Sequence, residues 1–215
     1  MNYQDAIKEA IHPFFLERLQ FIELKEIIDK YLKHNKEYIF DVMKHYYEKL
    51  HKCTDKYEVF QLEKEQIPMH CYDFEQSYLI GCFTYIFSVF EYGLYSILIK
   101  YSGKKVKKPK HNILFNINKA IYHKLPENLE ILFDTILTIS RIRNCFVHNG
   151  GILDEKSIDI KEYIKKSPNK IKIDYNGNGN KIIYITDLFV SDTINYIQNY
   201  ILELTDFLSK KKKDE

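Results

Sequence analysis

The sequence predicts a single, mainly helical domain with one small β-hairpin before its last helix. Most of the 215-residue chain repeats apolar residues at intervals of three and four, the spacing that lines one face of an α-helix. One stretch differs, because KIKIDY and KIIYIT alternate apolar and polar residues around NGNGN, a hairpin pattern over about residues 170–186. The length suits one domain, and 45% apolar with 29% charged residues is typical of a folded protein. We therefore expect residues 1–215 to form one domain.

The N-terminal region is expected to form two amphipathic helices. Residues 14–33 and 36–51 both have helical spacing, and the polar pair His34-Asn35 lies between them. A polar connection through Pro68 is expected to follow, since proline interrupts a helix interior.

The next helix is expected at residues 71–101, which are apolar on nearly all sides, as in the central helix of a bundle. Residues 78–99 are also long and apolar enough for a membrane span, although Glu91 lies among them. We favour a buried helix of a soluble protein that does not enter a membrane.

The central region alternates loops and helices. GKKVKKPKH is a basic loop, and a short helix is expected at about 113–124. A longer helix is expected to start at Pro126-Glu127 and to run to Asn149, where Gly150-Gly151 ends it.

The C-terminal region contains the hairpin between two less regular segments. Residues 152–169 are expected to be irregular or weakly helical. A last amphipathic helix is expected at about 188–209, followed by a basic tail over 210–215.

Composition favours the cytoplasm. The four cysteines, at positions 53, 71, 82 and 145, include no CxxC pair, and the N-terminus lacks the basic and apolar stretches of a secretory signal. A metal held by His51, Cys53, His70 and Cys71 is an alternative, but their spacing matches no common zinc pattern, and we expect no metal or other cofactor. The net charge of +2 means that any affinity for a polyanion must come from local clusters.

Arginine use identifies a candidate site. Of the 32 lysines and arginines only three are arginines, and Arg141 and Arg143 stand close before His148. A guanidinium binds a phosphate through two parallel hydrogen bonds, which lysine cannot do. The pattern therefore indicates a phosphate ligand.

A helical wheel places Arg143 within the apolar face of its helix, which consists of Leu129, Leu132, Phe133, Ile136, Ile139, Phe146 and Val147. Asn144, His148, Leu137 and Arg141 follow one edge of that face. An arginine there needs a carboxylate, a phosphate or a partner chain. The simplest alternative is structural: Arg143 pairs with Glu91, and His148 only complements the helix dipole.

The segment RIRNCFVHNGG resembles the signature of the HEPN superfamily, in which an arginine, often followed by a polar residue, precedes a histidine by four to six positions. Arg143, Asn144 and His148 match it, and a long apolar helix with a glutamate precedes the motif helix. The resemblance implies a HEPN-like helical bundle that forms a homodimer through the helix at 137–150. It also implies a metal-independent endoribonuclease, often a toxin or phage-defence effector, although some members only bind.

The residue types fit cleavage of RNA by its own 2′-hydroxyl, which leaves a 2′,3′-cyclic phosphate. Histidine transfers protons near neutral pH, and arginine stabilises the charged phosphorane. We assign His148 to acid/base work, Arg143 to the phosphate, and Asn144 to orienting a phosphate oxygen or His148. Arg141 is a weaker phosphate candidate, and Glu91 a supporting residue. One histidine cannot readily serve both proton transfers, so a two-fold axis would supply a second.

Two functions remain open at the level of sequence. The first is an RNA-cleaving homodimer with RNA as substrate and an antitoxin or defence-system protein as a possible partner. The second is a catalytically inactive dimeric module that binds RNA or a protein. In either case the basic loop is a candidate RNA contact, through Lys104, Lys105, Lys107, Lys108 and Lys110.

Overall fold

The computed structural model describes residues 13–52, 55–61, 67–102, 107, 114–116, 125–154, 157–175 and 178–214. Within them the predicted fold class is confirmed, because the structure has six helices and a two-stranded antiparallel sheet that precedes the last helix. The elements are α1 (Phe15–Lys52), α2 (Lys56–Gln61), α3 (Ile67–Ser102), α4 (Glu127–Asn149), α5 (Ile158–Lys166), β1 (Ile171–Tyr175), β2 (Lys181–Ile185) and α6 (Asp187–Asp214).

Helix α1 is continuous, so the prediction of two helices meeting at His34-Asn35 is wrong. Neither residue forces a break, since each costs only tenths of a kcal/mol in a helix interior. Asn35 is buried, and its Oδ1 has no hydrogen-bond partner among the described residues. Burial of α1 against α3 and α6 therefore outweighs the poor local helix preference of this pair.

Helix α3 begins earlier than predicted and includes Pro68 in its first turn. Proline is tolerated there, because the N–H that it lacks would have no helical acceptor in any case. One face of α3 forms the centre of the core, through Leu79, Phe83, Ile86, Phe87, Phe90, Leu94, Ile97 and Leu98. The stretch Phe74–Ser102 is long and apolar enough to span a membrane by length and composition, a test that the core helix of a soluble protein also passes.

Aromatic rings connect α3 to the two helices beside it. The Phe83 ring lies 6.4 Å from that of Phe146 on α4 and 5.1 Å from that of Phe189 on α6, measured between centroids. The Tyr200 ring of α6 lies 5.4 Å from that of Phe133 on α4. The two contacts of Phe83 are edge-to-face, and such pairs contribute about 0.5–1.5 kcal/mol each beyond their buried area. Through Phe133 and Phe146 these contacts join α4 to α3 and α6 in the core.

Two further helical segments are more extensive or more regular than the sequence indicated. Helix α6 runs to Asp214, so residues 210–214 of the predicted tail continue the helix, which lysine favours and no breaker interrupts. Residues 158–166, expected to be irregular or weakly helical, form α5. Of the helix predicted at 113–124, residues 114–116 are helical, and 113 and 117–124 lie outside the described residues.

The hairpin has the predicted strands. Ile171 pairs with Ile185 and Tyr175 with Lys181 in an antiparallel register. Ile171, Ile183 and Ile185 are buried, so one face of the hairpin joins the core.

Candidate functional site

Helix α4 carries the three main candidate residues and has the predicted bounds. It begins after Pro126 and ends at Gly150, which adopts the left-handed conformation with φ 58° and ψ 29°. The Gly150 N–H donates to the Phe146 carbonyl at 3.1 Å, and the Gly151 N–H to the Cys145 carbonyl at 3.1 Å. Glycine favours this ending because it populates positive φ without strain. His148 therefore stands in the last turn.

The Arg143 side chain meets a carboxylate, as its place on the helix required. Its Nη2 donates to Glu91 Oε1 of α3 at 2.6 Å, and its Cζ lies 5.8 Å from the centre of the Phe87 ring. The two side chains are 17% and 16% exposed. Nε is buried without a partner in the part of the chain that the structure describes. Glu91 and Phe87 thus hold the guanidinium in one orientation.

The last two turns of α4 present an open face. Toward the end of the helix the buried side turns to Ile142, Cys145 and Phe146, because the chain that follows packs there. Asn144 and His148 are consequently exposed, and no described residue forms a hydrogen bond or ion pair with the His148 imidazole. Val147, predicted to lie on the apolar face, is also exposed for this reason, so that assignment is wrong.

Arg141 lies on the same exposed stripe of α4 but faces α5. Its Nη1 donates to Asp159 Oδ2, and both side chains are more than half exposed. Together with Asp154, Ser157 and Ile160 the pair lines a shallow depression of about 210 Å³. The Asp159 carboxylate on Arg141, with Asp154 lining the same depression, repels a phosphate, so this arginine is a poorer ligand than Arg143.

The third arginine is also paired, since Arg18 Nη1 donates to Asp206 Oδ1 on α6 at 2.5 Å. Each arginine therefore meets a carboxylate of another helix. Ion pairing within the fold is therefore an alternative to the predicted phosphate contact as a reason for arginine at these positions.

The hairpin supports the end of the motif helix α4, a role that no pattern in the sequence indicates. The Ile183 N–H donates to the Gly151 carbonyl at 3.0 Å, and the Leu153 N–H to the Lys181 carbonyl at 2.9 Å. Residues 151–153 thereby cover the outer edge of β2. A Cβ on Gly151, whose φ is 82°, would lie 3.0 Å from the Phe146 ring. NGNGN indicated the hairpin but not the segment against which it packs.

Gln76 completes the edge of β2. Its Nε2 donates to the Ile185 carbonyl at 2.9 Å, and its Oε1 accepts from the Ile185 N–H at 3.1 Å. The side-chain amide thus replaces a third strand and ties α3 to the hairpin. No sequence signal distinguishes this glutamine from an exposed one.

The Cys145 thiol is part of the same support. It is buried and donates to the Ile152 carbonyl, with 3.1 Å between Sγ and oxygen. Burial, with a smaller effect of Asp154, raises its pKa. Cys145 therefore stays a neutral thiol near pH 7 and is unsuited to nucleophilic work.

An uncharged surface stripe follows α3 beside the Arg143–Glu91 pair. Its exposed residues are Phe74, Ser77, Gly81, Tyr85, Ser88 and Tyr92. From Gln76 to Ile99 the one charged residue is Glu91 itself. An exposed helix face normally carries charges, so this stripe has the character of a contact surface.

The predicted RNA-binding loop is largely outside the described residues. Lys107 is exposed, whereas Lys104, Lys105, Lys108 and Lys110 are not described. Among the residues searched, no three His, Cys, Asp or Glu side chains are grouped to hold a metal ion. Cys53 and the side chains of His70 and Cys71 lie outside that search.

The arrangement offers a guanidinium of fixed orientation and, on the same helix end, an exposed amide and an imidazole. These groups bind an anion and transfer protons. Comparison of this chain with protein-family models, curated proteins and solved structures gave no match.

Proposed function

We propose that this protein is a metal-independent endoribonuclease that acts as a homodimer. The observation that carries the proposal is the open end of α4, where His148 and Asn144 are solvent-exposed on the helix that also carries Arg143, whose guanidinium is oriented by Glu91. Proton transfer by His148 and phosphate contact by Asn144 require such access. The resemblance of RNCFVH to the HEPN motif supports the same function.

In the proposed reaction the RNA 2′-hydroxyl attacks the adjacent phosphorus as one His148 removes its proton. The phosphorane collapses to a 2′,3′-cyclic phosphate, and a second imidazole protonates the 5′-oxygen of the leaving nucleotide. Arg143 stabilises the phosphorane charge through Nη1, which hydrogen-bonds no described residue, while Glu91 holds Nη2. Asn144 orients a phosphate oxygen. Glu91 is a positioning residue in this scheme.

The second imidazole is proposed to come from the other subunit. The uncharged stripe of α3 borders Glu91, so two copies that pack through this stripe and the end of α4 bring both sites together. A two-fold interface buries the same surface on both copies, and an uncharged stripe can face itself without repulsion.

Incubation of the purified protein with RNA in excess EDTA tests the proposal. We expect cleavage to 2′,3′-cyclic phosphate ends, and no cleavage where the nucleotide 5′ of the scissile phosphate is 2′-deoxy. His148→Ala and Arg143→Lys should each reduce the rate by about 100-fold or more. His51→Ala, at the exposed end of α1, is the matched histidine control and should cleave normally. Intact RNA at all protein concentrations, or full activity of His148→Ala, would contradict the proposal.

A second candidate is a catalytically inactive dimeric module that binds RNA or a protein. The Arg143–Glu91 pair favours it, because a guanidinium that already has a carboxylate partner has a sufficient structural role. This candidate predicts RNA retention in a filter-binding assay without cleavage, and binding that His148→Ala does not change.

The proposed setting is the cytoplasm of a prokaryotic cell, where an antitoxin or defence-system protein would restrain a free ribonuclease. Only the resemblance supports this partner. We expect expression of the wild-type chain to arrest growth, and co-expression of the restraining partner to relieve that arrest. Expression of His148→Ala should cause no arrest.

A further inference from the structure

The outer edge of β1 has no strand beside it in the described part of the chain. On the opposite side of the hairpin, β2 is paired with Gly151 and Leu153, so its residues 181 and 183 direct their backbone groups away from β1. Ile173 is the cross-strand neighbour of Ile183, and its N–H and carbonyl therefore point to the open edge.

The side chains along this edge are accessible. Ile173 is 39% and Tyr175 62% exposed, and Lys172 and Asp174 are exposed on the other face of the strand. Two edge donors are occupied locally, because the Tyr175 N–H donates to the Asp174 carboxylate at 2.8 Å and the Ile171 N–H to the Ser167 carbonyl at 3.4 Å. The backbone groups of Ile173 are left open. An open edge with accessible apolar side chains is a template for a further strand.

The sequence of β1 is complementary to itself when one copy is reversed. An antiparallel pair centred on Ile173 places Lys172 opposite Asp174 of the second copy, and Asp174 opposite Lys172 of that copy. The two Ile173 residues then face each other and exchange their backbone hydrogen bonds. Moving the centre to residue 172 or 174 brings like charges together instead. Charge therefore selects one register among the three.

We propose that β1 pairs with β1 of a second copy of this chain, forming a four-stranded antiparallel sheet across a two-fold axis. The pairing is independent of the proposed ribonuclease function. Because β2 lies between β1 and Gly151, the end of α4 stays uncovered. If the copies also pair through α3 and α4, the two interfaces together give assemblies of four or more chains.

Charge exchange tests the register. In sedimentation equilibrium of the full chain, Lys172→Asp and Asp174→Lys should each raise the dissociation constant of this association on the order of tenfold. The double variant K172D/D174K should restore it, because the opposite charges face each other again. Lys165→Asp, exposed on α5, makes the same charge change away from the strand and should have no effect.

A cysteine at the centre of the register gives a second readout that does not depend on charge. Ile173→Cys should form a disulfide between the two copies at position 173 under mild oxidation, since hydrogen-bonded antiparallel neighbours have Cα atoms about 5.5 Å apart. Lys172→Cys faces Asp174 and should not. Thermal melts of all variants verify that they fold.

The outcomes separate this pairing from the proposed function. If the single charge variants have a lower mass in sedimentation equilibrium and cleave RNA as before, the β1 interface is supported. This holds whether or not the copies also pair through α3 and α4. No change in mass together with no Ile173→Cys cross-link would overturn pairing between copies and leave the edge to a strand of another protein.

Discussion

The ion pair between Arg143 and Glu91 permits a quantitative test of how strongly the motif helix is held. Replacing Glu91 by leucine removes the carboxylate partner of Arg143, whose side chain is largely buried beside Phe87. Breaking a fully buried pair costs about 3–5 kcal/mol, and an exposed pair contributes about 0–1 kcal/mol. With both side chains only 17% and 16% exposed, we expect Glu91→Leu to lower the free energy of unfolding by about 2–3 kcal/mol.

A double-mutant cycle with Arg143→Met isolates the interaction. The double variant replaces the pair by two apolar side chains and should be more stable than Glu91→Leu alone, because no charge stays buried. The coupling free energy should be about 2 kcal/mol. The chain has no tryptophan, so urea unfolding is best followed by far-UV circular dichroism, at one protein concentration for all variants.

The Arg141–Asp159 pair is the matched control, since its side chains are 54% and 59% exposed. Its coupling should stay below about 1 kcal/mol. If the Arg143–Glu91 coupling is no larger than that of the control pair, the guanidinium is solvated and Glu91 does not fix its orientation.

Three further predictions concern the end of α4 and the core. His148→Ala should change the free energy of unfolding by less than about 0.5 kcal/mol, because the side chain is exposed; a larger loss in urea unfolding would mean that His148 is structural. Gly151→Ala should lower the free energy of unfolding by about 2–3 kcal/mol, since backbone strain at φ 82° adds to the close contact with Phe146. Gly150→Ala, at φ 58° with open space around its Cβ, should lower it by about 1 kcal/mol. Equal losses would contradict that packing. Burial raises the pKa of Tyr163 to about 12, so the stability that its neutral hydroxyl contributes is complete below pH 10 and is lost as the pH rises through 12. The melting temperature of Tyr163→Phe should therefore fall less than that of the wild type between pH 10 and pH 12. Equal falls in melting temperature would exclude this contribution of Tyr163.

The pattern of apolar residues was sufficient for the helices that are long and have clear ends. Pro126 and Gly150 bound α4 as predicted, because each acts through its own backbone geometry. NGNGN located the hairpin for the same reason. Asn35 misled the prediction of α1, since its local preference is weak compared with burial in the core.

For the candidate site, the sequence identified Arg143 and the carboxylate that it meets, because an arginine on an apolar face needs a partner and Glu91 is the charge within the apolar helix. It did not predict that Val147 is exposed. That depends on residues 151–153 and β2, which cover one side of the helix end and leave the other open.

The sequence by itself determined the helical class, the hairpin, the bounds of α4 and the spacing of Arg143, Asn144 and His148, because these follow from interactions within a few residues. Only the tertiary structure decided that His148 is accessible and that Gln76 closes the edge of β2, since both result from contacts between segments far apart in the chain. Such contacts depend on how helices pack, which local periodicity does not encode.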